Sequence, residues 1–156
     1  MKKIRNPWEH KEGYNCFGCA PGNPVGLHLE FYEDADDIVS VWHPSANYQG
    51  WIETLHGGII STLVDETSAW AITRKLQTIG VTVRLEMKFR HPVMTTAGEV
   101  TVRAHIANQR ARFVTVETTV ESEGNICATG TAVFCVEPQE KAFDMGFDGC
   151  KTEDEP

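Results

Sequence analysis

The sequence predicts an α+β fold, an antiparallel sheet of about six strands wrapped around one long helix. Three observations lead there. Only one stretch, beginning near Thr54, has helical periodicity. Two alternating runs precede it and four follow it. A single helix cannot supply the crossovers of a doubly wound parallel sheet, so the strands must return by short antiparallel connections.

Residues 1–26 open the chain as a polar arm, with Pro7 and Trp8, followed by a Gly- and Pro-rich irregular segment. Leu27–Tyr32 alternates, with Leu27, Leu29 and Phe31 on one side, and reads as the first strand. Glu33–Asp37 is an acidic turn, and Ile38–His43 returns until Pro44 stops it. On a wheel of ~100° per residue centred on Ile60, residues Ile59, Leu63, Val64, Thr67, Trp70 and Ala71 share an arc, while Ser61, Asp65 and Ser68 oppose it. This helix should end near Leu76–Gly80, with Gly80 in a left-handed cap. Val81–Arg90 alternates without a break: Val81, Val83, Leu85, Met87 and Phe89 against Thr82, Arg84, Glu86, Lys88 and Arg90. Glu99–Ala107, Arg112–Glu121 and Asn125–Val136 are three more strands joined by hairpin-like junctions. The acidic residues 138–156 lack periodicity and read as a flexible tail, which leaves 27–137 as the folded body.

With 156 residues the chain makes one domain with a real core, and its net charge of -8 argues against a nucleic-acid partner. No apolar run approaches the ~18 residues of a membrane span, and the N-terminus lacks the apolar region of a signal peptide. A cytoplasmic location is therefore expected, with the five cysteines as reduced thiols. Cys16-x-x-Cys19 has the spacing of half a zinc site, but no second pair follows it, so no metal and no cofactor is expected.

The chemistry concentrates at the start of the helix. His56-Gly57-Gly58 precedes it, and the first helical N–H groups have no partner inside the helix. These donors and the positive end of the helix dipole would hold a carbonyl oxygen that becomes an oxyanion. The two glycines serve equally well as a plain turn. Asp65 lies eight residues after Gly57, ~12 Å along a helix, too far to act on an acyl carbon held at its own Gly57. Two such helices, antiparallel across a two-fold axis, would bring each Asp65 to the other's glycines. An ordinary solvated helix face is the plain alternative for Asp65 and Glu66.

The segment LHGGIISTLVDETSAWA resembles the signature of hotdog-fold thioesterases of the PaaI-like (phenylacetate-type) family, and CFGCAPGNPVGL resembles the N-terminal segment of one branch of it. The resemblance runs from about Cys16 to Val136 and implies a hotdog domain over 27–137 that hydrolyses an acyl-CoA thioester. The implied roles are a carbonyl held at Gly57 and Gly58, Asp65 of the other subunit as general base or nucleophile, His56 orienting the turn, and Thr82 holding the attacking water. Some relatives carry an Asn six residues before the His; here that position is Gly50, with Asn47 and Gln49 nearby as substitutes. Glu66, Arg84, Lys88 and Arg90 complete the expected substrate-binding set, the cations as donors to the anionic CoA, with a solvated strand face as their plain alternative. A homodimer with a shared site is expected, alone or as a dimer of dimers. The alternative is a non-catalytic hotdog protein that binds acyl-CoA or serves as a dimeric scaffold. A hydratase would need an Asp/His pair that is not found near the helix.

Overall fold

The computed structural model describes all residues, Met1–Pro156. The strands are β1 (Lys2–Lys3), β2 (Tyr32–Asp34), β3 (Asp37–Trp42), β4 (Gln49–Trp51), β5 (Thr54–Leu55), β6 (Gly80–Phe89), β7 (Val100–Arg110), β8 (Phe113–Ser122) and β9 (Asn125–Val136). The helices are α1 (Gly57–Lys75) and α2 (Gln139–Asp144). Seven strands form one antiparallel sheet in the order β1-β2-β3-β7-β8-β9-β6, and β4-β5 is a separate hairpin leading into α1. α1 packs across β3, β7, β8, β9 and β6. The expected sheet around a single long helix is present, with one more strand than expected, the short β1.

The alternating apolar residues of β7, β8 and β9 build the core. Val100, Val102, Val114, Val116 and Phe134 are buried against Leu63 and Val64 of α1 in one cluster. The β8–β9 turn places Glu123 and Gly124 both at positive φ, 51° and 79°, the pairing that a tight two-residue hairpin requires.

Four expectations are corrected. Leu27–Phe31 is buried on the expected side but is not a strand. His28 sits at φ 54°, and the segment bonds instead to the arm: Leu27 and Leu29 N–H donate to the carbonyls of Phe17 and Gly18. The helix ends at Lys75, and Gln77, not Gly80, takes the left-handed conformation at φ 51°. Gln77 is held there by its amide, which donates to the Arg74 and Cys150 carbonyls and accepts from the Cys150 N–H. Ser68, placed on the polar side by the wheel, is fully buried; its hydroxyl meets the Val64 carbonyl and the Thr118 hydroxyl, so burial leaves nothing unpaired. The fourth correction concerns β6. A bulge at Val83 shifts the register from Thr82↔Phe134 to Arg84↔Val133, so the alternation does not run unbroken. Thr82 therefore faces the helix, with Leu85 and Met87, while Val81 and Val83 are exposed.

Residues 138–156, read from the sequence as a flexible tail, fold back onto the body. Ala142, Phe147, Cys150 and Thr152 are buried, and Thr152 bridges to Ile4. Arg74 of α1 pairs with Glu33 and with Glu155, both at 2.8 Å, tying β2 and the C-terminus to the helix end. Periodicity could not reveal this segment because a short helix and single anchors leave no repeat. No helix is long and apolar enough to cross a membrane.

Candidate functional site at the start of the central helix

His56 caps α1. Its backbone is extended (φ -62°, ψ 132°), and its Nδ1 accepts the Gly58 N–H at 2.8 Å, which puts the ring proton on Nε2. The His56 carbonyl accepts the N–H groups of Ile59 and Ile60. The Gly57 N–H has no acceptor and lies on an exposed helix start. Of the two amides expected to be open, one is therefore taken by the cap and one, Gly57, is free to donate outward.

Two hollows flank this end. One, of about 330 Å³, is lined by Asn47, Tyr48, Gln49, His56, Gly58 and Thr62. The other, of about 320 Å³, is lined by Gly57, Phe89, Arg90, His91 and Pro92. Asn47 and Gln49 thus do reach the glycine turn. Gly50, where some relatives carry Asn, packs so closely that a Cβ there would lie 3.1 Å from the His56 Cα. Phe89 comes within 3.7 Å of where a Gly57 Cβ would be. Its place beside the glycines was not read from the sequence, although its side of β6, shared with Leu85 and Met87, was.

Two turns along α1, the Thr82 hydroxyl donates to Asp65 Oδ1 at 2.7 Å. Asp65 is half-buried and lies beside β6, which is the free edge of the sheet. Arg84 and Lys88 are exposed on the side of β6 away from the helix, whereas Arg90 reaches the second hollow.

Glu66, expected with the substrate residues, leaves the helix on a different side. Its Oε1 accepts from the Trp70 indole N–H at 3.2 Å and from the Cys16 thiol at 3.4 Å, beneath the N-terminal arm. The neighbouring Cys19 thiol holds Cys16 down to about 7, while Cys16 and burial push Cys19 up. All five cysteines are free thiols.

The profile described as Thioesterase superfamily matches residues 53–129, which span the glycine turn, α1 and the strands through most of β9. A mutant of the phenylacetic acid degradation protein PaaI from Thermus thermophilus is similar at 27% identity, over 69% of this chain and 92% of that one, with a TM-score of 0.63. Zebra fish thioesterase superfamily member 2 shares the fold at 21% identity, over 67% and 78% of the two chains, with a TM-score of 0.61. A further thioesterase superfamily protein superposes with a TM-score of 0.71 at 18% identity; 77% of this chain is covered but only 62% of that longer one. No curated protein matches the chain. The helix within its antiparallel sheet is the hotdog arrangement, and with the profile match over the glycine turn and α1 the chain resembles the thioesterase superfamily, the PaaI protein among the structures it is similar to.

Proposed function

We propose that the protein hydrolyses an acyl-CoA thioester at a site shared by two subunits. The observation that carries this reading is the Thr82–Asp65 hydrogen bond, which fixes a half-buried carboxylate beside the free sheet edge. The Gly57 N–H takes the carbonyl oxygen, where a preorganised donor and the helix dipole favour the charge that develops on it. Asp65 of the other subunit activates water or attacks the carbonyl carbon directly, and Thr82 sets the carboxylate's orientation.

The dimer follows from distance and from the edge. Within one chain the ~12 Å between Gly57 and Asp65 is too long for one reacting centre. β6 is unpaired on its outer side, and Val81 and Val83 expose 67% and 52% of their surface there. Two β6 edges joined antiparallel would cover these residues and set the two α1 helices antiparallel. Arg90, at the second hollow, supplies the local positive charge that an anionic CoA needs on a chain of net charge -8, while Arg84 and Lys88 lie on the opposite side of β6.

A second reading, a non-catalytic acyl-CoA binder, draws on Gly50 and on the capped Gly58 N–H, which together leave the oxyanion a single backbone donor from this end. Free-thiol release from a panel of acyl-CoAs separates the two. Turnover that falls roughly 10²–10⁴-fold in Asp65→Ala, with the dimer intact, supports hydrolysis at this site. CoA binding without turnover on any substrate leaves the binder.

A further inference from the structure

A second group of donors lies on the other side of α1. The sulfurs of Cys16 and Cys19 and a carboxylate oxygen of Glu66 are all within 4.8 Å of one another. The loop Cys16–Cys19 closes over the carboxylate so tightly that a Cβ on Gly18 would lie 2.6 Å from Glu66 Cδ. All three donors line one hollow of about 310 Å³, with Trp8, Tyr14 and Thr73. We propose that Cys16, Cys19 and Glu66 bind one zinc ion, which staples the N-terminal arm to the central helix.

The donor chemistry selects the ion. Two thiolates and one carboxylate suit zinc, whereas magnesium and calcium take oxygen donors and an iron–sulfur cluster takes four cysteines. Zn–S of ~2.3 Å and Zn–O of ~2.1 Å in a tetrahedron set donor separations of ~3.6–3.8 Å, so a contraction of about 1 Å closes the set. The fourth position opens on the hollow and takes water. Tyr14, whose hydroxyl lies 2.8 Å from Cys19 Sγ and accepts from the Asn6 amide, holds that sulfur in place. His28 is not among the donors that lie within 4.8 Å of one another, and its Nε2 is engaged by the Asn23 carbonyl. On binding, both thiols release their protons to water and the ionised carboxylate supplies a lone pair. A Cys16–Cys19 disulfide instead would leave the carboxylate facing two sulfurs with only the Trp70 indole as its donor.

The test is metal binding by the full chain, and it does not rest on thioester hydrolysis. Chain stripped by a chelator under reducing conditions is titrated with zinc against a chromophoric competitor, and with cobalt as a spectroscopic substitute. One zinc per chain and thiolate-to-cobalt charge-transfer absorption are expected. Cys16→Ser and Cys19→Ser should each weaken zinc by at least roughly 100-fold, and Cys135→Ser should not weaken it. Cys19 is buried and its variant risks misfolding, so Glu66→Gln, which keeps both thiols and the packing, is the second variant; a loss of roughly 10–100-fold is expected. No stoichiometric zinc, no charge-transfer band, or equal affinity in Cys16→Ser, Glu66→Gln and wild type would overturn the proposal. So would a stripped chain that forms the Cys16–Cys19 disulfide and is indifferent to zinc when reduced.

Discussion

Asp65 and Glu66 are neighbours in the chain and leave α1 about 100° apart. That angle sends them to different parts of the molecule. Asp65 emerges beside the unpaired edge of β6, where a single hydroxyl, Thr82, holds it and a second subunit has room to approach. Glu66 emerges under the N-terminal arm, where Trp70, Cys16 and the Gly18 backbone surround it. The first carboxylate keeps a face open toward another molecule. The second is enclosed by its own chain. Carboxylate chemistry is the same in both; what differs is which element covers the helix on each side.

The largest effect expected on the Asp65 side, beyond its own replacement, comes from Gly57→Pro. His56 is already extended, as a residue before proline must be, and proline is favoured at the first helical position. The substitution therefore deletes the free N–H without breaking the helix. A loss of roughly 10²–10³ in kcat with unchanged Tm is expected. Co-expression of Gly57→Pro with Asp65→Ala should restore activity, because a mixed dimer has one site with both groups intact. No restoration in verified heterodimers would sink the shared site.

On the Glu66 side the comparable change is Gly18→Ala. The added carbon meets a carboxylate that Trp70 and Cys16 restrain, so the arm must shift. Overpacking of this kind costs about 1–3 kcal/mol, to be read as a fall in denaturant midpoint. A midpoint equal to wild type would mean that the arm does not close on Glu66 as described.

Thr82→Val sharpens the contrast from the open side. It removes one hydrogen bond of about 1 kcal/mol to Asp65, and a drop of about fivefold in kcat/KM with the midpoint nearly unchanged is expected. A variant that unfolds more easily but turns over normally would reduce Thr82 to a strand residue.

The smallest effect is on acid stability, again on the enclosed side. Arg74, first of all, and Lys75 hold Glu33 below its ordinary 4.5. The Thr152 N–H and Arg74 hold Glu155 down to about 2. Depressed carboxylates contribute stability that is complete above their ordinary values and lost as pH falls through the folded ones. Tm should therefore decline between about pH 4.5 and 2, and Arg74→Leu should flatten that decline. A wild-type Tm indifferent to pH across this window would show that the ion pairs clamping β2 and the C-terminus to α1 contribute nothing.

The long helix, the hairpin strands and the glycine turn were legible in the sequence because each rests on local rules. Apolar residues recur at 3.6 or 2, a His-Gly-Gly opens the helix, and β9 over Asn125–Val136 is found with the bounds its alternation implies. The placement of Asn47 and Gln49 beside the turn also followed, since both lie on the hairpin that leads into it. Thr82 was assigned to the outward face, because alternation assumes an unbroken ladder and one extra residue at Val83 reverses it. Ser68 and the C-terminal segment were misplaced for related reasons. A hydroxyl can be buried once its own helix carbonyl satisfies it, and isolated anchors such as Phe147 and Thr152 have no period to detect. The sequence by itself determined which elements form, their order and where the helix begins. Only the tertiary structure decided which side of α1 stays open and that Cys16 and Cys19 meet Glu66, because those outcomes depend on packing between residues as much as 50 positions apart, and local periodicity carries no information at that range.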